Sequence, residues 1–385
     1  MIFTQPVSRK LGFLIALFVL TVNASLGQNV AKSLDSLFTS LHSQGKFNGN
    51  VLFAVHGIPL MTKSYGLADR EAKRLLNTHT VFELASVSKQ FTAMGIVLLE
   101  KQGKLSYDDP MAFYIPELKF YGDITVRNLL NHTGGLPDYM TLLEKHWDKT
   151  KIATNDDIIR QFALLKPKVD FTPNQKYEYS NTGYALLATI IERVSRKSYG
   201  AFLSQYIFKP LGMKHTLVYR SRYQPQKIDN YALGYVQDST ATMVLPDSFG
   251  RQFLSYYLDG IVGDGMVNSN LEDLLRWDQA LYTDELVNSK DKALIFSGTT
   301  TLDGKHNDYG FGWEISMHRK YGKIISHSGG WAGYLTYIER DTDNSKTMIV
   351  LQNYGKEDSE MPISTARKML YEHAHGFVQE KKSSL

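Results

Sequence analysis

Apolar residues recur at Val30, Leu34, Leu37 and Leu41. Steps of three and four put them on one face, which predicts an amphipathic helix early in the chain. The period then changes. Asn50–Val55 and Pro59–Tyr65 are apolar-rich runs on either side of His56-Gly57-Ile58, the signature of a β-hairpin. From Gln90 to Glu100 the helical period returns, and Gly103 stands where such a helix stops. Another apolar helix is predicted from Tyr184 to Ile191. Strands return near the C-terminus at Gly310–Ile315, Lys323–His327, Tyr334–Ile338 and Thr347–Leu351, with Asp341-Thr342-Asp343-Asn344 as a turn between two of them. A closing helix is predicted over about 362–374, and about 124–285 reads mostly as helix and loop. Together these describe a strand-rich body assembled from both ends of the chain, with a helical lobe inserted. A cleft forms naturally between two such parts.

One spacing adds chemistry. Ser86-Val87-Ser88-Lys89 lies where an extended run, Phe82-Glu83-Leu84, gives way to the helix beginning near Gln90. Residues three apart share a helix face, so an amine at Lys89 can reach the Ser86 hydroxyl. Serine is a weak nucleophile until an adjacent base activates it, and S-x-x-K is a motif of acyl-enzyme chemistry. A helix N-terminus there would also favour a developing oxyanion. Chance alone supplies about one or two S-x-x-K hits in a chain this long. Ser43-Gln44-Gly45-Lys46 is read as one, because Gly45 breaks the helical period there.

Two further motifs follow. Tyr179-Ser180-Asn181 precedes the Tyr184 helix. A phenol beside a lysine can relay a proton, and an amide two residues on can grip a substrate carbonyl. His327-Ser328-Gly329-Gly330 is expected to end a strand and enter a glycine-rich turn whose free N–H groups could meet an oxyanion. A second H-x-G, His132-Thr133-Gly134, falls in a loop; strand context and order along the chain select His327.

Composition narrows the class. The chain has 385 residues, 43% of them apolar, enough for one large core or two intimately joined ones. The formal charge is +4 and no basic run stands out, so nucleic acid is not an expected partner. Cysteine is absent, which excludes disulfides, thiol catalysis and a lipoprotein anchor. Residues 1–27 have the form of a cleavable signal: Arg9-Lys10, an apolar run Leu11–Val22, and Ser25-Leu26-Gly27 as a small-x-small site. The apolar run is short for a membrane span of about 20 residues. A periplasmic or secreted protein without a stable span is the expectation.

With these motifs the chain resembles the serine β-lactamase-like hydrolases related to class C β-lactamases and D-Ala-D-Ala carboxypeptidases. Ser86-x-x-Lys89, Tyr179-x-Asn181 and His327-x-Gly329 occur in that family's order. Leu129–Asp138, Pro210-Leu211-Gly212-Met213 and Asp273–Trp277 are phrases typical of it. The resemblance covers nearly all of residues 45–355. It implies an α+β fold, an antiparallel sheet flanked by helices, with the sheet lobe at about 28–123 and 286–385 and the helical lobe at about 124–285. It implies Ser86 as nucleophile, Lys89 as base, Tyr179 as proton relay and Asn181 as substrate ligand. His327 and Gly329 would form the third motif at the substrate, and the N–H groups of Ser86 and Gly330 the oxyanion hole. No cofactor or metal is implied.

Two departures stand out. True β-lactamases carry lysine where this chain has His327. A histidine of ordinary pKa is mostly neutral above pH 7, so uncharged ester or amide donors are expected over β-lactams, with carboxylate preference growing below about pH 6. Gly263-Asp264-Gly265-Met266 stands where relatives have a plainer glycine run, and Asp264 has no assigned part. The expected substrate is an ester, a peptidoglycan-type D-amino-acid peptide or a related amide. The competing readings are a catalytically silent binding or sensor protein on the same scaffold, and a true β-lactamase. A metal hydrolase lacks support, since no H-E-x-x-H or similar cluster occurs. Oligomeric state is not legible.

Overall fold

The computed structural model describes residues 28–355, 359 and 361–373; the segment read as a signal lies outside them. Six strands form one antiparallel sheet: β1 (Gly49–Val55), β2 (Ile58–Tyr65), β3 (Glu314–His318), β4 (Gly322–Trp331), β5 (Tyr334–Asp341) and β6 (Lys346–Gln352), in the order β3-β4-β5-β6-β1-β2. The two ends of the chain meet where β1 pairs with β6, from Gly49 opposite Gln352 to Val55 opposite Lys346.

Both faces of the sheet are covered, because successive side chains on a strand point to opposite sides. Val51, Phe53 and Val55 of β1 pack with Val30, Leu34 and Phe38 of helix α1 (28–43) and with Ala366 and Leu370 of a C-terminal helix. Leu52 and Ala54 face a larger core. That core holds helix α2 (Lys89–Lys101), α3 (Asn181–Ser195) and α4 (Leu271–Ala280). The C-terminal helix, α5 (Ile363–His373), closes the first face. Strand β5 repeats the alternation with charges. Glu339 faces α5 and accepts from Arg367, whereas Arg340 faces α4 and its Nε donates to Asp278 at 2.8 Å.

Several expectations need correction. The strand expected at Gly310–Ile315 begins at Glu314. The Gly310 and Phe311 amides donate to Trp313 and Ile295, a local turn outside the ladder. The glycine turn expected after His327 is strand: β4 runs on to Trp331, with Gly329 opposite Thr336 and Gly330 opposite Leu335. The reason is steric. A Cβ on Gly329 would sit 2.3 Å from Thr336 Oγ1 and 2.4 Å from the Leu84 carbonyl, so this glycine serves close approach rather than a bend. The helix of the first motif starts at Lys89, and Ser86 lies in a single 3₁₀ turn, Ala85–Ser88, that leads into it. Within 124–285 short strands accompany the helices. Val267–Ser269 pairs with both Phe82–Glu83 and Leu217–Val218. No helix among the described residues is long and apolar enough to cross a membrane.

Candidate active site

The Ser86 turn is held from three sides. Ala85 adopts a left-handed φ of 48°, uncommon for a residue with a Cβ and sustained only by its surroundings. The Leu84 carbonyl accepts from Thr336 Oγ1 of β5 at 2.7 Å, and the Leu84 amide donates to Val267 at 2.9 Å. Ser88 Oγ accepts from the Val267 amide at 3.0 Å. Strand β3 pairs with β4 only as far as Ser326. The free edge of β4 beyond it meets the Ser86 turn, with the Ser86 nitrogen 3.1 Å from where a Cβ on Gly329 would lie.

Lys89 is fully buried at 0% exposure. Its Nζ lies 2.9 Å from each of three oxygens: Ser86 Oγ, Asn181 Oδ1 and the backbone carbonyl of Asp264. Two of the three can only accept. A neutral amine has two N–H bonds and one lone pair. With the bonds given to Asn181 and Asp264, the lone pair faces Ser86, the one neighbour with a proton to donate. Burial lowers the Lys89 pKa to about 8, against an opposing pull from the charge of Asp264.

Asn181 is the first residue of α3, whose N-cap is Ser180, its side chain accepting from the Gly183 amide. Capping by Ser180 leaves the Asn181 amide free for Lys89. Tyr179 sits just before, with its ring centre 5.0 Å from Lys89 Nζ. The residue is 39% exposed. Burial of the phenol still pushes its pKa up, the Ser86 side chain partly offsetting this. The phenol therefore rests protonated.

Sequence reasoning missed two residues. His132, passed over as a loop residue, stacks on Tyr179 with ring centres 4.4 Å apart, and its Nδ1 accepts the Ser180 amide at 3.0 Å. It fixes the ring and the backbone of the second motif together. The only sequence signal was the repeated H-x-G triplet. Asp264 is the other. Gly263, at a φ of 108°, presses on α3 so closely that a Cβ would lie 2.4 Å from the Tyr184 carbonyl. This brings the Asp264 carbonyl onto Lys89, while its carboxylate accepts from Tyr139 at 2.8 Å. An acid interrupting a glycine run was the available clue.

A cavity of about 270 Å³ opens beside Ser86, lined also by Glu83, Asn181, Asp264, Gly330 and Trp331. The structure thus brings Ser86, Lys89, Tyr179, Asn181 and Gly330 together. Gly329 abuts the Ser86 turn rather than the cavity. His327 differs from expectation. Its ring is buried, Nδ1 donates to the Ser328 carbonyl at 2.6 Å, and Nε2 accepts from Tyr309 Oη at 2.9 Å. Both nitrogens are occupied, so neither points to substrate. Burial and the charge of Lys89 lower its pKa to about 3, far below the ordinary value assumed from sequence.

Known proteins resemble this chain in sequence and share its fold. The family described as Beta-lactamase matches residues 34–371. Penicillin-binding protein 4* of Bacillus subtilis (strain 168) is 47% identical over 334 residues, which cover 86% of this chain and 74% of that protein. The putative penicillin-binding protein PbpX of the same organism is 29% identical over 272 residues, covering 70% of this chain and 62% of that one. A D-amino acid amidase from Ochrobactrum anthropi SV3 superposes with a TM-score of 0.70 at 25% identity, over 91% of this chain and 98% of that chain. The match across most of its length, together with a relative nearly half identical, establishes that this chain belongs to the β-lactamase family of serine hydrolases.

Proposed function

We propose that this protein is a secreted hydrolase that works through an acyl-enzyme on Ser86, acting on an ester, a D-amino-acid peptide or a related amide. The observation that carries the reading is buried Lys89 Nζ 2.9 Å from Ser86 Oγ, with its two other oxygen neighbours able only to accept, so that the neutral amine turns its lone pair to Ser86. Lys89 takes the Ser86 proton as Oγ bonds to the acyl carbon. The carbonyl electrons move onto oxygen, beside the Ser86 and Gly330 N–H groups. Protonated Tyr179 passes a proton to the leaving group and regains one from Lys89 as the intermediate collapses. Water then repeats the sequence on the acyl-enzyme, with Lys89 again as base. Asn181 orients Lys89 and is placed to bind the substrate's acyl portion. His327 supports the floor of the site through Tyr309 instead of contacting substrate.

Similarity to a penicillin-binding protein and to a D-amino acid amidase is consistent with this range of acyl donors. The test is incubation with a fluorescent penicillin and a chromogenic ester, followed by mass spectrometry of the protein. An adduct on Ser86, absent in Ser86→Ala together with turnover, is expected. Labelling of Ser88, or full turnover by Ser86→Ala, refutes the mechanism. Penicillin bound without any ester or amide turnover would favour the silent binding protein, and efficient cephalosporin hydrolysis at pH 8 the true β-lactamase.

A further inference from the structure

Glu83 lies three residues before Ser86 on the short strand Phe82–Glu83. It is 8% exposed, and while its backbone pairs with Asn268, its carboxyl makes no hydrogen bond or ion pair among the described residues. It lines the cavity beside Ser86 and also an adjoining one walled by Arg222, Tyr231 and Tyr334. A buried carboxyl without a partner is costly to maintain. Its neighbours are already engaged. Arg222, the nearby cation, donates to Asp247 at 2.6 Å and pairs with Asp259 at 3.2 Å. Asp259 also accepts the amides of Arg222 and Tyr223, and Asp264 accepts from Tyr139.

The cavity wall thus presents two carboxyl groups, Glu83 and Asp264, and no lysine or arginine lines it. Lys89 is enclosed behind Ser86. A ligand carboxylate entering here meets two acids and no cation, whereas an ammonium group meets an anchor. The remaining wall is apolar, with Met140, Leu258, Ile261, Met266 and Trp331.

We propose that Glu83 anchors the free α-ammonium group of the acyl donor, so that the substrate is an α-amino acid amide, ester or amino-terminally free peptide whose first side chain is apolar. The inference rests on Ser86 being the acylated group. Burial, then repulsion from Asp259 and Asp264 against attraction by Arg222, raises the Glu83 pKa to about 8. Glu83 also bears on the phenols Tyr231 and Tyr334. An ammonium group drawn against Glu83 would return it to the carboxylate form.

The test compares 4-nitroanilides of D- and L-phenylalanine, their N-acetyl forms, and 3-phenylpropanoic acid 4-nitroanilide, which keeps the side chain but lacks the amine. At least one free-amine anilide should exceed the amine-free compound in kcat/KM by about tenfold or more, the scale of a charge-assisted hydrogen bond. Glu83→Gln should bring that ratio close to one. Equal or better turnover of the N-acetyl and amine-free compounds by the wild type overturns the proposal without reference to any variant. Calorimetric binding to Ser86→Ala separates the two readings. Phenylalaninamide should bind about tenfold tighter than 3-phenylpropanamide even where no chemistry occurs. Amine-selective binding with no turnover of any anilide leaves the ammonium site standing and removes the acyl-transfer reading. Turnover through Ser86 with no amine preference in either measurement does the reverse.

Discussion

Two buried cations show how differently one chain can treat a positive charge. Arg340 is 1% exposed, and its Nε donates to Asp278 at 2.8 Å, with its guanidinium carbon 4.2 Å from the Tyr282 ring centre. Asp278 is fully buried too, and its second oxygen accepts from Thr347 at 2.6 Å. Charge is met by charge, and the pair clamps α4 to the sheet. Lys89 is equally buried but bonds only to uncharged oxygens. The first arrangement preserves an ion; the second makes the ion dispensable. A group that must give and take protons needs the second kind of surroundings.

The comparison breaks most sharply at Lys89 itself. Arginine cannot lose its proton in this range. Lys89→Arg should therefore abolish hydrolysis, by on the order of 10³-fold or more in kcat. Retained turnover would mean that Lys89 serves as a fixed charge, as Arg340 does.

Stability should divide the two sites in opposite directions. Asp278→Ala leaves Arg340 buried and unpaired, and should cost about 3–5 kcal/mol in denaturant unfolding. Lys89→Met should stabilise at pH 7 by about 2 kcal/mol. The sign follows from the Lys89 pKa, lowered on folding from 10.5 to about 8. The folded state disfavours the ammonium, so the cost is complete below pH 8 and fades as pH rises toward 10.5. The gap between wild type and Lys89→Met should accordingly narrow from pH 7 to pH 10. A destabilised Lys89→Met at pH 7 would show that the three hydrogen bonds outweigh the desolvation.

Activity should follow the same group. On an uncharged ester, kcat/KM should rise with pH through about 8, as Lys89 becomes neutral, and then level off. Asp264 opposes that loss of charge. Asp264→Asn should move the rise to lower pH by about one unit. An unmoved profile would confine Asp264 to its backbone contact.

Smallest of all is the effect expected of His327. Its pKa near 3 and two internal hydrogen bonds keep it neutral at working pH. No inflection should appear between pH 5.5 and 7 in the ratio of kcat/KM for a carboxylate-bearing donor to that for a neutral one. An inflection near 6.5 that disappears in His327→Gln would restore the titrating histidine expected from sequence.

That histidine marks where the sequence stopped. Spacing alone placed five of the six sheet strands and the helices α1, α2, α3 and α5, because periods of two and 3.6 are local consequences of backbone geometry, but it set the Gly310–Ile315 strand too early and did not single out α4. It also established that Ser86 and Lys89 could touch, since a turn sets the distance between residues three apart. Gly329 looked like a turn because glycine permits bends. Only the packed structure shows that it is a flat strand position emptied so that the Ser86 turn can approach. His132 and Asp264 reach the site from loops remote in sequence, as does Glu83's unpaired state, which depends on Arg222 being held by Asp247 and Asp259. The ordinary properties of lysine and histidine are written in the chain. Their pKa values in the site are not, because desolvation depends on what the tertiary fold packs around each group.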